Sequence, residues 1–197
     1  SIQGDRLYTI SGRFATGISS HLDQGRARGA DSPSMIVRKP ATTPEVAADY
    51  SCPAGASPAW HPSEGRLYWI DAASGRLFRC TPSARTHELV YSAGAAVGAI
   101  AVQADATVLL LMSSGAVKVW REDSVVTIIE PGEGEREAQV VCAAADPAGR
   151  VVLGLAAEGG RSGRISRLGT DGKIVQLAEG AQAPAGFAFT PDGRGMY

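Results

Sequence analysis

A repeat of 42 to 44 residues constrains the fold of this chain more than any other feature of its sequence. In each copy, a short turn that often contains Pro, Asp or Gly leads into an apolar run. The equivalent turn positions are Pro62, Ala104, Pro147 and Pro191. A period of this length is typical of a four-stranded propeller blade.

The interior of each repeat contains further short strand-like runs. A third run follows Gly75, Gly115 and Gly163 in the three copies, and a fourth run follows each of these. The runs alternate partly between apolar and polar residues, are often β-branched, and are separated by turn residues. No amphipathic helix of three turns is visible. The pattern predicts an all-β fold, a β-propeller of four-stranded blades.

The number of repeats is too small for a closed ring. Three full repeats occupy residues 54–180, and a fourth begins at Ala181. Closed propellers usually have four to eight blades, so we expect an incomplete propeller of about three to three and a half blades. An open ring leaves strand edges unpaired. We therefore expect a truncated product, a fragment, or a half that self-associates through its open propeller edges.

The first fifty residues differ from the repeats. One short strand is predicted over residues 6–10. Residues 12–44 are rich in Gly, Ser, Arg, Asp and Pro and show no apolar period of a strand or a helix. The sequence therefore predicts a loop-rich or partly disordered N-terminal extension over residues 1–49 and a partial propeller over residues 50–197.

Composition excludes several classes of partner. The net charge of −1 argues against a nucleic-acid surface and against a polybasic membrane anchor. The longest strongly apolar run, residues 108–112, is far shorter than a membrane-spanning helix. The three cysteines, Cys52, Cys80 and Cys142, form neither a disulfide framework nor a metal-binding pair. With no signal peptide visible, they favour reduced thiols and a cytoplasmic location.

Four stretches of the chain carry a family resemblance. GASPAWHP at residues 55–62 and GRLYWID at 65–71 are similar to an opening blade, and DPAGR at 146–150 and GFAFTPDGR at 186–194 to later signatures. Together they resemble the senescence marker protein/gluconolactonase/luciferin-regenerating-enzyme family. The resemblance implies a six-bladed propeller that hydrolyses sugar lactones or related esters. It also implies calcium or another divalent metal in the central channel, where the metal polarises the carbonyl group.

The same resemblance assigns the family's site residues to positions of this chain. The family's glutamate ligand matches Ala56, and its two asparagine ligands match Val141 and Ala185. The arginine that helps to bind substrate matches Gln139. The remaining aspartate ligand would lie past Tyr197.

The repeat provides a check that needs no family. Ala56, Val141 and Ala185 each precede the turn reference position by six residues, and the same offset in the second repeat gives Gly98. Equivalent positions of a repeat should lie at equivalent depth, so we predict that these residues line one ring of the channel. Their side chains offer no ligand, and a hard cation takes six or more oxygen atoms. We therefore predict no metal and no cofactor in this chain.

These observations lead to one main expectation and one alternative. We expect a propeller similar to the family's lactone and ester hydrolases, without their metal site, whose ligand is a small lactone or a sugar acid. The alternative is a non-catalytic propeller that serves binding or assembly, or a fragment that is inactive alone. No catalytic residue is predicted, because His21, His61 and His87 fall in the linker, a turn and an outer strand.

Other conspicuous residues have structural interpretations. Asp71 is expected to accept hydrogen bonds from turn amides, with a place in the channel as the alternative. Trp60, Trp69 and Trp120 are expected to pack between blades. The charged run at residues 133–137 is interpreted as a solvated loop, with a lid over the channel mouth as the alternative.

Overall fold

The computed structural model describes residues 7–9, 45–103, 105–122, 124–130, 138–157, 162–182, 184–190 and 192–197. The predicted loop over residues 12–44, the turn positions Ala104 and Pro191, His21 and the charged run at 133–137 lie outside these residues. The described part of the chain holds no helix, and so none that is long and apolar enough to cross a membrane.

The described strands form one two-stranded sheet and three four-stranded sheets, all antiparallel. They are β1 (Leu7–Thr9), β2 (Glu45–Ala48), β3 (Gly55–His61), β4 (Arg66–Asp71), β5 (Arg76–Thr81), β6 (Thr86–Ser92), β7 (Val97–Val102), β8 (Val108–Met112), β9 (Val117–Arg121), β10 (Ser124–Ile129), β11 (Ala138–Ala145), β12 (Val151–Ala157), β13 (Gly163–Leu168) and β14 (Ile174–Ala181).

Each four-stranded sheet is one blade whose strands follow one another in chain order. The first blade is β3 to β6, the second β7 to β10 and the third β11 to β14. Phe189 pairs with Met196 in an isolated antiparallel bridge, where the fourth repeat begins. The structure thus confirms the predicted all-β fold, with three four-stranded blades and the beginning of a further repeat.

Strand β8 shows why the longest apolar run of the sequence is apolar throughout. All five of its residues are buried. Val108 and Leu110 belong to a cluster shared with the first blade, whereas Leu109 and Leu111 belong to one shared with the third. Side chains alternate between the faces of a strand, so the middle blade needs apolar residues on both faces. Burying each of these side chains contributes about 1.5 to 3 kcal/mol.

The turns between strands use residues that the sequence pattern had marked. Gly75 has a φ of 65°, and a Cβ there would overlap the carbonyl oxygen of Ala95. Asp146 accepts hydrogen bonds from the amides of Ala148 and Arg150, both at 2.9 Å. Its other oxygen lies 2.6 Å from Arg150 Nε. The DPAGR motif is therefore a turn closed by its own aspartate and arginine.

Residues that precede the first blade also contribute to its core. Ala48 of β2 and Cys52 are buried in one cluster with Trp69, Phe78 and Cys80. Strand β2 pairs with β1, which lies within the strand predicted over residues 6–10. The division of the chain at residue 49 stays a prediction.

Candidate functional site

The first strand of each blade, β3, β7 or β11, forms the inner side of the described fold. In its sheet, each of these strands pairs with one neighbour only, and β7 contacts both β3 and β11. The last strands, β6, β10 and β14, carry mostly exposed residues. The three inner strands therefore lie side by side, as inner strands do around the central channel of a propeller.

An open cleft of about 440 Å³ runs along these inner strands. It is lined by residues Ser57–Trp60 of β3, Ile100–Val102 of β7, Val141–Ala145 of β11, and Ala185–Phe187 beyond β14. Its volume lies within the range of small-molecule sites, roughly 300 to 1,000 Å³. None of these described residues has a charged side chain. Among these described residues, Cys142 has the one ionisable side chain, and burial raises the pKa of its thiol.

A β-bulge interrupts each inner strand at nearly the same position of the repeat. The extra residue is Gly98 in β7 and Val141 in β11. In β3 the register shifts between Ala56 and Ala59. A bulge leaves its extra residue outside the ladder and re-aims the side chains around it. The three inner strands therefore share a bulge at the position of the repeat where the sequence predicts the channel ring.

Hydrogen bonds of Ser57 connect the bulge in β3 to the second blade. This residue has a φ of 53°, a left-handed conformation that is uncommon for a residue with a side chain. Its Oγ accepts a hydrogen bond from the Ile100 amide at 2.9 Å and donates one to the Ile100 carbonyl oxygen at 3.3 Å. Ser57 is the one hydroxyl-bearing residue of β3, and nothing in the sequence pattern marked it as part of a site.

Two of the predicted channel residues come together in the cleft. Val141 and Ala185 both line it, and Val141 is 40% exposed. Gln139 is exposed on the same strand as Val141 but is not among the residues that line the cleft.

The other two predicted positions lie deeper. Ala56 packs against the cluster between the first and second blades. Gly98 lies so close to β11 that a Cβ would overlap the carbonyl oxygen of Val140. That all five positions line one ring of the channel stays a prediction.

The described residues do not fit the divalent metal that the family resemblance implies. Ala56, Gly98, Val141 and Ala185 have no side-chain oxygen or nitrogen. Among the cleft residues, Ser57 supplies the one side-chain oxygen, and both of its hydrogen bonds go to Ile100. Within the described part of the chain, no three His, Cys, Asp or Glu side chains lie together as a metal site would require. Calcium takes six to eight oxygen ligands, so this donor set is inadequate.

Asp71 belongs to a turn and not to the cleft. It is buried and accepts hydrogen bonds from the Ala54 amide at 3.3 Å, the Ser74 hydroxyl at 2.7 Å and Arg76 Nη2 at 2.7 Å. Burial opposes ionisation, but these hydrogen bonds outweigh it and hold the pKa of Asp71 below its ordinary value of 3.8. The structural interpretation of Asp71 is confirmed.

The three tryptophans occupy different environments. Trp120 packs against Tyr68 across the first two blades, with ring centroids 5.8 Å apart, as predicted. Trp69 stacks on Phe78 of its own blade and lies in the cluster with Ala48 and Cys52, on a face that no described blade covers, so its packing between blades stays a prediction. Trp60 is 54% exposed. Val102 occupies the equivalent position in the second repeat and packs between the first and second blades. By this equivalence, Trp60 lies on the face of the first blade where a preceding blade would pack, and no described blade covers that face.

His61 borders the turn between β3 and β4, as predicted, and its carbonyl oxygen accepts a hydrogen bond from the Gly65 amide at 2.9 Å, but its burial was not predicted. It is the last residue of β3 and is fully buried. Its Nε2 lies 2.8 Å from the carbonyl oxygen of Ala106 in the second blade, and the amide of Glu64 donates to its Nδ1 at 3.4 Å. This arrangement requires the proton on Nε2. His61 therefore connects two blades, a role that depends on a contact 45 residues away in the sequence.

Residues 54–197 match the sequence profile described as the SMP-30/Gluconolactonase/LRE-like region. The chain belongs to this family. The resemblance found in the blade motifs is thereby confirmed.

Individual relatives agree with this assignment. Pentonolactonase XacC of Haloferax volcanii is 35% identical over 156 residues, which are 76% of this chain and 50% of that protein. The luciferin-regenerating enzyme is 20% identical with a TM-score of 0.64, over 73% of this chain and 51% of that one. The gluconolactonase XC5397 of Xanthomonas campestris is 19% identical with a TM-score of 0.63, over 73% and 53%. The chain thus spans about half the length of these relatives.

Proposed function

We propose that this chain is a lactone-binding propeller of the gluconolactonase family that does not hydrolyse lactones with a divalent metal of its own. The observation that carries the proposal is the cleft along the inner strands. It has the volume of a small-molecule site, but its described lining contains neither a charged side chain nor a metal-ligating set. The similarity to a pentonolactonase supports a sugar lactone, or the sugar acid formed from it, as the ligand.

The inner strands can bind a sugar ring through their backbone. Each pairs on one side only, so along its other edge the backbone amides and carbonyls have no partner strand in the described sheets. Such groups can donate to and accept from the hydroxyls of a sugar lactone. The lining alanines at 143–145 leave room for the ring to approach this edge.

The same residues explain why we propose binding without metal-dependent hydrolysis. In a metal-assisted hydrolysis, the cation polarises the carbonyl group and activates water. The positions Ala56, Gly98, Val141 and Ala185 supply no side-chain ligand for such a cation, and the described lining of the cleft supplies no carboxylate to act as a base.

Hydrolysis and binding measured on the same preparation test this function. Acid release from pentonolactone and gluconolactone is followed in a pH-stat with calcium or with EDTA, and lactone binding is measured by calorimetry. We expect saturable lactone binding in EDTA and acid release no faster than the spontaneous rate in either buffer. Calcium-dependent acid release above that rate would contradict the proposal, and so would the absence of lactone binding.

A second function, assembly with another copy of the chain, is favoured by an exposed aromatic residue of the first blade. Trp60 is 54% exposed. In sedimentation velocity we expect a self-associating species that dissociates in the Trp60→Ser variant. A monomer at all concentrations would exclude this function.

A further inference from the structure

We infer that the cleft along β3, β7 and β11 selects a neutral, ring-closed sugar lactone over its ring-opened carboxylate, and that position 141 is where a single charge would shift this preference. The inference rests on the proposed function, since it specifies which of the two ligand forms the cleft takes. Lactone and acid differ by one water molecule and one negative charge at neutral pH, so the charge of the cleft decides between them.

The described lining of the cleft offers nothing to balance a negative charge. It contains no Lys, Arg or His. A carboxylate that enters loses part of its hydration, and this costs free energy unless a cation or well-placed donors replace the water. The exposed strand edges present carbonyl oxygens as well as amides, and the carbonyl oxygens repel an anion. A neutral lactone meets neither penalty.

Several cations of the nearby blades are already engaged elsewhere. Several arginines pair with carboxylates outside the cleft: Arg76 with Asp71 at 2.7 Å, Arg79 with Glu88 at 2.6 Å, and Arg150 with Asp146 at 2.6 Å. None of these arginines lines the cleft. Recruiting one of them for a carboxylate ligand would break an existing ion pair.

Val141 is the lining residue best placed to change this balance. It is the extra residue of the β11 bulge and is 40% exposed, whereas Val140 and Cys142 on either side are buried. A bulge lets one side chain leave the alternation of its strand. A charge at position 141 would therefore reach the cleft without entering the core.

Calorimetric titration of the 197-residue chain with pentonolactone and with pentonate, at a mildly acidic pH where the lactone persists, tests the inference. We expect the wild type to bind the lactone at least about tenfold more tightly than the acid. The Val141→Lys variant should bind pentonate about tenfold more tightly than the wild type does. The matched control is Val126→Lys, because Val126 is an exposed valine on the outer strand β10. That control should leave both affinities unchanged.

A second variant keeps the test independent of how well the lysine is tolerated. In Val141→His, pentonate binding should strengthen at about pH 6, where the imidazole is charged, and return to the wild-type value at about pH 8. Two results would overturn the inference: equal or tighter binding of pentonate than of lactone by the wild type, or no increase in pentonate affinity in either folded variant. In both cases, lactone binding by the wild type would still support the proposed function. Failure of the wild type to bind either ligand would overturn both.

Discussion

The inner strands β3, β7 and β11 carry uncharged side chains along the cleft, whereas the turns at the strand ends carry buried aspartates with their hydrogen-bonding partners. Asp71 and Asp146 are both buried and both paired with an arginine. The described lining of the cleft contains no such pair. In this chain the ionic groups seen at the turns stabilise the fold, and the cleft depends on packing and backbone geometry.

This contrast supports our proposal that the family fold does not depend on side chains that could hold a metal in the cleft. The turn aspartates and glycines, which make the blade motifs recognisable, are fixed by local hydrogen bonding and by φ. The residues at the cleft contribute little to that bonding. We therefore expect the blades to tolerate small apolar residues at positions 56, 141 and 185.

The largest effect should come from filling the close approach between the inner strands. In Gly98→Ala, the new Cβ would overlap the carbonyl oxygen of Val140, which is backbone and cannot rotate away. We expect the free energy of unfolding to fall by about 3 kcal/mol in urea titrations. The control is Gly186→Ala, because a Cβ at Gly186 would meet no atom within 4 Å. That variant should stay within about 0.5 kcal/mol of the wild type. Equal stability of the two variants would show that the strands are not held this closely.

The next largest effect should be a loss of stability without a loss of lactone affinity, when a turn residue is changed. Asp71→Asn removes the charge that Arg76 pairs with and weakens the hydrogen bonds of the turn. We expect the free energy of unfolding to fall by about 2 kcal/mol, with lactone affinity unchanged. Asp171→Asn is the matched control, because Asp171 is 59% exposed and lies 3.5 Å from the exposed Lys173. It should change stability by less than about 0.5 kcal/mol. A loss of lactone affinity in Asp71→Asn at a temperature where it is folded would contradict the division between turns and cleft.

A smaller effect should appear in the dependence on pH. Burial opposes ionisation of Asp71 and Asp146, but their hydrogen bonds hold both pKa values below 3.8 in the folded chain. The unfolded chain therefore takes up protons first as the pH falls. The stabilisation from these groups is present above about pH 5 and is lost as the pH drops through about 3.8 towards the folded values.

Urea titrations between about pH 3 and pH 6 measure this loss, and the curve for Asp71→Asn should be flatter than that of the wild type. Lactone binding should not vary between about pH 5 and pH 7, because the ionisable lining residue, Cys142, has a raised pKa. A titration of lactone binding within that range would indicate an ionising group in the cleft.

Much of the fold could be predicted from the sequence, because strands and turns are local features. The 42- to 44-residue period located the blades, and the apolar run at residues 108–112 is the strand buried on both faces. Val141 and Ala185, which lie at equivalent positions of the repeat, both line the cleft, and the ring of five channel residues stays a prediction.

The bulges could not be predicted, because they depend on how a strand pairs with its partner. A shift of one residue exchanges the two faces of a strand, and in β3 such a shift lies between Ala56 and Ala59. The burial of His61 likewise depends on Ala106 of the next blade. The environments of such residues could not be predicted from the sequence pattern, because a partner distant in the sequence determines them.

Calcium titration of the 197-residue chain by calorimetry is the most direct test of a cleft that has the family's architecture without its metal. The account predicts no saturable heat at millimolar calcium, and a lactone affinity that is the same in calcium and in EDTA. Saturable binding with a Kd below about 0.1 mM, together with lactone binding that requires calcium, would contradict it.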